Sequence, residues 1–169
     1  MKKDTAVLVI DVLVSGADDT LYKQDPAEAA LVKKAAAVVD AARAAELPVI
    51  FLCDQHIKGV DRELELWGDH GIKGDARPNP EFEAGSGALD FIIPKRRYSG
   101  FFGTDLDLTL RELGVTKLIA VGKRVEDADV RVLCDGSRHR RNEDLPCRDA
   151  GRGARAYAEV LRHEACHGR

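Results

Sequence analysis

Long apolar segments are missing from this chain of 169 residues. No uninterrupted apolar run approaches the roughly 18 residues that a membrane-spanning helix needs. The opening residues, Met1 to Asp4, lead directly into a strand-like run and do not resemble a signal peptide. The sequence therefore predicts a soluble, cytoplasmic protein with no membrane partner.

An excess of charge of one sign is also missing, because 26 lysines and arginines stand against 29 aspartates and glutamates, for a formal net charge of −3. This balance produces no strong positive electrostatic potential that would attract nucleic acid, so we expect no nucleic-acid partner. The hydrophobic share of 44% and the charged share of 33% are those of an ordinary soluble globule. A chain of this length can bury a hydrophobic core without disulfide bonds or a structural metal ion. We predict a single domain over residues 1–169.

Cysteine is scarce and unevenly placed. The four cysteines include no C-x-x-C pair, and in a chain of this length they do not make a disulfide framework. Three of them (Cys134, Cys147 and Cys166) lie in residues 123–169, which contain no isoleucine or phenylalanine. These residues hold 10 arginines, against 6 in the 122 residues before them. Two interpretations stay open: a polar terminus, or the end of a sheet with Val130 to Cys134 as its best strand.

Strand and helix patterns alternate in the first part of the chain. Residues Ala6 to Asp11 form an apolar run ending in a carboxylate, as expected of a strand buried on both faces of a parallel sheet. Asp25 to Glu28 combines an N-cap aspartate, a proline and a glutamate, which predicts a helix continuing to Glu46. Val49 to Cys53 is a second buried strand, so these segments predict a βαβ unit.

The alternation resumes after a long polar segment, residues 54–88. Leu89 to Pro94 predicts a third strand, with Lys95 at its end. Thr104 caps a predicted helix that ends at Gly114, and Lys117 to Gly122 predicts a fourth buried strand. The predicted fold class is therefore α/β, with a doubly wound, mostly parallel sheet between two helical layers in a three-layer α/β/α architecture.

Two charged residues follow predicted strands. Open α/β sheets bind ligands at the carboxyl ends of their strands, and Asp11 follows the first strand while Lys95 follows the third. We expect both side chains in one crevice, where the lysine holds the aspartate ionised and the aspartate accepts a proton from a neighbouring nucleophile. A structural ion pair is the alternative that spacing alone leaves open.

Three longer stretches resemble the isochorismatase-like cysteine hydrolases: Leu8 to Val12, Lys95 to Asp107, and Leu110 to Gly122. The run Lys-Arg-Arg-Tyr-Ser-Gly-Phe-Phe-Gly-Thr-Asp-Leu, which begins at Lys95, is long and specific. That superfamily includes nicotinamidases and N-carbamoylsarcosine amidases. The resemblance implies the same fold and a hydrolase that cleaves a non-peptide C–N bond of a small amide.

The resemblance also implies roles for individual residues. Asp11 would be the general base, and Lys95 would support a cysteine thiolate that attacks the amide carbonyl, forming a thioester that water then hydrolyses. The expected partners are a small amide of the nicotinamide or N-carbamoyl type and further copies of the chain, as a homo-oligomer. No organic cofactor is expected.

The polar segment after the second strand holds a possible metal site. Asp54 and His56 stand two residues apart, and His70 follows fourteen residues later. One carboxylate and two imidazoles suit zinc or another divalent transition metal, with open positions for water or substrate. The resemblance to nicotinamidases implies such a metal, which holds the pyridine nitrogen in those enzymes. Exposed loop histidines without a metal are the alternative.

The nucleophile is not where the resemblance places it. A cysteine is expected six residues past Gly122, at the start of a helix, but Ala128 stands there. The nearest thiol, Cys134, comes several residues later in a strand-like setting, where a buried thiol is usually inert.

Three explanations for this difference are open. The chain has lost catalysis and only binds a small ligand or metal, or it uses Cys134 after a rearranged turn. The third is that residues 123–169 are not the natural reading frame, since a shifted frame in a GC-rich gene produces arginine-rich sequence. Against a shifted frame, Cys147 to Ala150 and Ala156 to Leu161 still resemble C-terminal pieces of the family. A metal-bound water is a further possible nucleophile, although it leaves Lys95 with little to do.

Overall fold

The computed structural model describes residues 4–14, 18, 20–67, 77–123 and 130–134. The strands in this part of the chain are β1 (Thr5–Ile10), β2 (Leu13–Val14), β3 (Val49–Asp54), β4 (Arg77–Pro78), β5 (Asp90–Lys95), β6 (Lys117–Gly122) and β7 (Val130–Cys134). The helices are α1 (Pro26–Ala44), α2 (Arg62–Trp67) and α3 (Leu106–Leu113), with short 3-10 turns at Leu21–Gln24 and Pro80–Phe82. None of these helices combines the length and the apolar character needed to cross a lipid bilayer.

Five strands form one sheet in the order β5-β3-β1-β6-β7. The first four are parallel to one another, with β1 between β3 and β6. This arrangement confirms the predicted α/β fold with a mostly parallel sheet. The strand predicted at Val130 to Cys134 is also confirmed, and it pairs with β6 in the antiparallel direction.

Helices cover the sheet on both faces, because successive side chains of a buried strand point to opposite sides. Val7 and Val9 of β1 share a core cluster with Val39 of α1. Leu8, between them, belongs to a second cluster with Leu110 of α3. Burial of each such side chain is worth on the order of 1.5–3 kcal/mol relative to exposure, so the continuous apolar runs of the sequence produce the three layers.

Helix α1 begins where the sequence predicts it. The Asp25 carboxylate accepts hydrogen bonds from the backbone N–H groups of Ala27 at 2.8 Å and Glu28 at 3.4 Å, and Pro26 occupies the first helical position. The helix ends at Ala44, two residues before the predicted end. These bonds satisfy N–H groups that have no partner within the helix, as a capping aspartate should.

The polar segment between β3 and β5 is not simply a loop. It contains α2 and the short strand β4, which pairs antiparallel with β2, a strand that begins two residues after Asp11. The Asn79 N–H also donates to the carbonyl of Val12 at 2.9 Å. Phe82 is buried and packs on Phe51, with ring centroids 5.9 Å apart. These contacts hold part of the segment beside the carboxyl end of β1.

Candidate active site

The carboxyl ends of β1, β3 and β5 lie side by side at one edge of the sheet. Asp11 follows β1, whereas Asp54 and Lys95 are the last residues of β3 and β5 and stand opposite each other in the strand register. Asp11 has a φ of 52°, a left-handed conformation that is uncommon for residues other than glycine and is often found at functional sites. In this conformation its N–H donates to the carbonyl of Leu52 at 3.0 Å.

The Lys95 ammonium links two carboxylates at this edge. Its Nζ lies 2.8 Å from Oδ2 of Asp11 and also contacts Oδ1 of Asp54. The other oxygen of Asp11, Oδ1, accepts a hydrogen bond from the N–H of Asp54 at 3.0 Å. The structure thus brings together Asp11 and Lys95, as the sequence predicts, and adds Asp54 to the same group.

Burial and charge set the protonation of this group. Burial raises the pKa of the Asp11 carboxyl, and the neighbouring Lys95 only partly offsets that effect. Burial alone would lower the pKa of Lys95, but its bonds to Asp11 and Asp54 outweigh burial, so the pKa of Lys95 is raised. The raised pKa makes the ionised Asp11 carboxylate a stronger proton acceptor than an exposed aspartate, which suits a general base.

Cys53 is close to this group in sequence but is not a nucleophile. Its side chain is buried in the core on the α1 side of the sheet, and its Sγ lies 3.8 Å from the carbonyl oxygen of Phe51. Burial raises the pKa of the Cys53 thiol to about 12, with a smaller contribution from the charge of Asp11. At neutral pH it is a protonated, inert core residue.

The register of β7 places Cys134 at the wrong end of the sheet, which corrects the hypothesis that it serves as the nucleophile. Cys134 stands opposite Lys117, the first residue of β6, whereas the last residue, Gly122, pairs with Ile10 next to Asp11. Five residues of strand at about 3.3 Å each separate the two ends by about 16 Å. In this register, residue 134 lies at the opposite end of β6 from the catalytic edge. The other candidate positions (Ala128, Cys147 and Cys166) lie outside the described residues.

Gly122 allows the end of β6 to lie unusually close to β1. It has a φ of 130°, and a Cβ atom there would lie 2.1 Å from the carbonyl oxygen of Ile10. That oxygen instead accepts a hydrogen bond from the N–H of Lys123 at 2.9 Å. The Lys123 ammonium in turn lies 2.6 Å from the Glu28 carboxylate in the first turn of α1. These contacts fix the backbone at the carboxyl end of β6, as far as Lys123, beside Asp11.

The predicted metal ligands are only partly within the described residues. The Asp54 carboxylate contacts the Lys95 ammonium, and the His56 side chain is buried with its Nδ1 4.0 Å from Oδ2 of Asp61. His70 lies outside the described part of the chain. Within that part, no three metal-capable side chains converge on one point. Asp54 and His56 alone do not fit a bound metal, and the predicted set of three stays a prediction.

Asp61 is a buried residue of this region that the sequence patterns did not reveal. Its carboxylate accepts hydrogen bonds from the N–H of Ile57 at 2.6 Å, from Nε of Arg96 at 3.1 Å and from Nη1 of Arg97 at 3.2 Å. The Arg96 guanidinium above all holds the pKa of Asp61 well below its usual range. Asp61 therefore ties the loop after β3 to the segment after Lys95. The two arginines that directly follow Lys95 were the available signal.

Among curated proteins, the chain is similar to a ureidoacrylate amidohydrolase of Serratia proteamaculans, with 28% identity over 159 residues. It is also similar to a protein of Arabidopsis thaliana named a probable inactive nicotinamidase, with 29% identity over 131 residues. These matches cover 79% and 71% of the chain, but 64% and 66% of the relatives. The chain thus spans just under two thirds of the length of each.

Solved structures show the same similarity. N-carbamoylsarcosine amidase from Thermoplasma acidophilum superposes with a TM-score of 0.59 at 31% identity, over 71% of this chain and 68% of that one. A cysteine hydrolase from Pseudomonas syringae gives a TM-score of 0.57 at 30% identity, over 71% of this chain and 59% of that one. The isochorismatase domain family matches residues 5–126, which include the whole group around Lys95. The chain belongs to the isochorismatase family.

Proposed function

We propose that this protein hydrolyses a non-peptide C–N bond of a small amide, of the nicotinamide or N-carbamoyl type. The observation that carries the proposal is the buried Lys95 ammonium, held between two carboxylates at the carboxyl edge of a parallel sheet. Relatives named as ureidoacrylate amidohydrolase and N-carbamoylsarcosine amidase support the same reaction class.

The group around Lys95 suits the proton transfers of such a reaction. Asp11 accepts the proton of a thiol, the thiolate attacks the amide carbonyl, and the proton passes to the departing amine as the C–N bond breaks. Water then hydrolyses the thioester, with Asp11 accepting a proton from the water. Lys95 stabilises negative charge throughout by staying protonated. With Cys53 buried and Cys134 at the far end of β6, the thiols left in this chain for the first step are Cys147 and Cys166.

Ammonia release from a panel of small amides tests the proposal. The panel should include nicotinamide and N-carbamoyl amino acids, and the variants should be Asp11→Asn and Lys95→Met, with Arg111→Gln on the exposed face of α3 as control. We expect turnover by the wild type and the control and not by the other two. Alkylation with iodoacetamide and mass mapping identifies the reactive thiol. No ammonia from any substrate would exclude the hydrolase.

A ligand-binding protein without turnover is the second candidate. The antiparallel direction of β7 favours it, because the strand leads the chain away from the catalytic edge. The similarity to a protein named a probable inactive nicotinamidase also supports it. This candidate predicts that a small amide raises the melting temperature without being hydrolysed. Hydrolysis above the level of the Lys95→Met variant would exclude it.

The metal and the assembly remain part of the proposal to be tested. The sequence prediction of zinc or another divalent transition metal at Asp54, His56 and His70 requires that a chelator lowers the affinity for a nicotinamide-type ligand, whereas the pairing of Asp54 with Lys95 requires no effect of the chelator. A homo-oligomer predicts a mass in light scattering that is a multiple of 18.5 kDa. A cytoplasmic location likewise stays a prediction.

A further inference from the structure

The two carboxylates around the Lys95 ammonium are arranged like the ligands of a bound metal ion. Oδ2 of Asp11 and Oδ1 of Asp54 both approach one Nζ atom, which is almost completely buried. The backbone fixes all three residues: the Asp54 N–H donates to Asp11, and the N–H of Gln55 donates to the carbonyl of Lys95 at 2.8 Å. Two carboxylates from adjacent strands that converge on one point are also a common way to hold a divalent metal ion.

The positively charged side chains near His56 disfavour the binding of a metal ion beside its ring. Asp61, the carboxylate next to the His56 ring, is shared by the guanidinium groups of Arg96 and Arg97. Both guanidinium groups therefore lie beside the carboxylate that neighbours the His56 ring. A metal ion between Asp54 and His56 would have to displace the Lys95 ammonium from Asp54 and would approach these two guanidinium groups.

We propose that the Lys95 ammonium occupies the place between Asp11 and Asp54 that a divalent cation would otherwise take, and that Asp54 is a positioning residue for Lys95 and not a metal ligand. Asp54 then belongs to the acid–base group and holds the ammonium against Asp11. The inference rests on the proposed function only in that it concerns the same site, since cation binding can be measured without turnover. It predicts that removal of the lysine side chain opens a cation site.

Titration with Mn²⁺ tests the inference, because Mn²⁺ prefers carboxylate oxygens and binds weakly to the thiols of the chain. The full-length variants are Lys95→Ala, the double variant Lys95→Ala with Asp54→Asn, and Lys117→Ala as control. Lys117 is a suitable control because its ammonium pairs with Asp4 at the protein surface, 3.1 Å away. Calorimetry gives the affinity and thermal unfolding gives the shift in Tm.

We expect Lys95→Ala to bind Mn²⁺ at least about tenfold more tightly than the wild type and to gain several degrees in Tm when Mn²⁺ is added. The double variant should lose both gains, and Lys117→Ala should behave as the wild type. Reintroduction of a carboxylate as Asp54→Glu in the Lys95→Ala background should restore part of the binding, which a merely structural role of Asp54 would not do.

Two binding results would overturn the inference. One is Mn²⁺ or Zn²⁺ binding by the wild type that Asp54→Asn abolishes and Lys95→Ala leaves unchanged. The other is a Lys95→Ala protein that gains no affinity for Mn²⁺. If Lys95→Ala folds poorly, Lys95→Ser is the second variant, and folding of either one only with Mn²⁺ present supports the inference. Failure of both to fold with Mn²⁺ also overturns it. Hydrolysis of amides by the wild type is measured separately and tests only the proposed function.

Discussion

On one side of the sheet, β1, β3 and β5 lead into charged residues that contact one another, and on the other side β6 ends in Gly122 and is followed by a strand that runs back. The first side is built from parallel strands whose register aligns their carboxyl ends. The second side ends in an antiparallel pair that returns the chain to the opposite edge. Both sides share β1 as their common neighbour, so the difference lies in the residues that come after each strand.

The two sides of the sheet contribute different parts of the site. The side with Asp11, Asp54 and Lys95 supplies a base, an ammonium and a fixed backbone, which are held by interactions among the described residues. The side with β6 and β7 should supply the nucleophile, and its strand direction carries the nearest thiol away. Family membership therefore establishes the scaffold, whereas activity depends on residues that this scaffold does not itself position.

The largest expected effect comes from removal of the base on the first side. In Asp11→Asn, the amide keeps the shape of the side chain but cannot accept a proton, so kcat should fall by about 10²- to 10⁴-fold. Ammonia release at saturating substrate measures this. Asp40→Asn, on an exposed position of α1, is the control and should keep wild-type activity. Unchanged turnover in Asp11→Asn would remove Asp11 from the mechanism.

The next effect probes the contact between the two sides. Gly122→Ala forces a Cβ into the carbonyl of Ile10 and requires a φ that alanine disfavours, so it should lower the free energy of unfolding by about 2–4 kcal/mol. Gly59→Ala is the matched control, because Gly59 has a φ of 76° but open space around it. Its cost should be only the backbone strain, about 1–2 kcal/mol. Urea unfolding measures both values, and equal costs would mean that the close approach of β6 to β1 is not a constraint.

A slightly smaller effect is expected at the start of β5 on the first side. The buried Asp90 carboxylate lies 2.6 Å from Nη2 of Arg43 on α1 and accepts the N–H groups of Gly85 and Gly87. Asp90→Ala leaves the guanidinium and both N–H groups without this acceptor. Because Arg43 is partly exposed and water can compensate some of the loss, we expect about 2–3 kcal/mol. Urea unfolding should show this loss, and Asp107→Ala on exposed α3 should lose less than about 0.5 kcal/mol.

The sequence predicts the first side better than the second for a physical reason. Parallel strands buried on both faces have continuous apolar runs, and their carboxyl ends must share an edge, so Asp11 and Lys95 are placed together once the strands are recognised. The direction of β7 cannot be predicted in this way, because the pattern Val130 to Cys134 fits either direction. Asp61 was also missed, since its partners Arg96 and Arg97 come from a loop 35 and 36 residues away.

The smallest expected effect is at Cys134, and it tests the comparison most directly. If β7 runs antiparallel to β6 in this register, residue 134 lies about 16 Å along the strand from the edge that holds Asp11. Cys134→Ser should then leave amide turnover within about twofold of the wild type, whereas Cys147→Ser or Cys166→Ser should abolish it if either thiol is the nucleophile. Ammonia release from the same substrate, measured for all three variants, provides the answer. A loss of turnover in Cys134→Ser alone would mean that β7 has a different direction or register in the active protein, because the present register places residue 134 opposite Lys117.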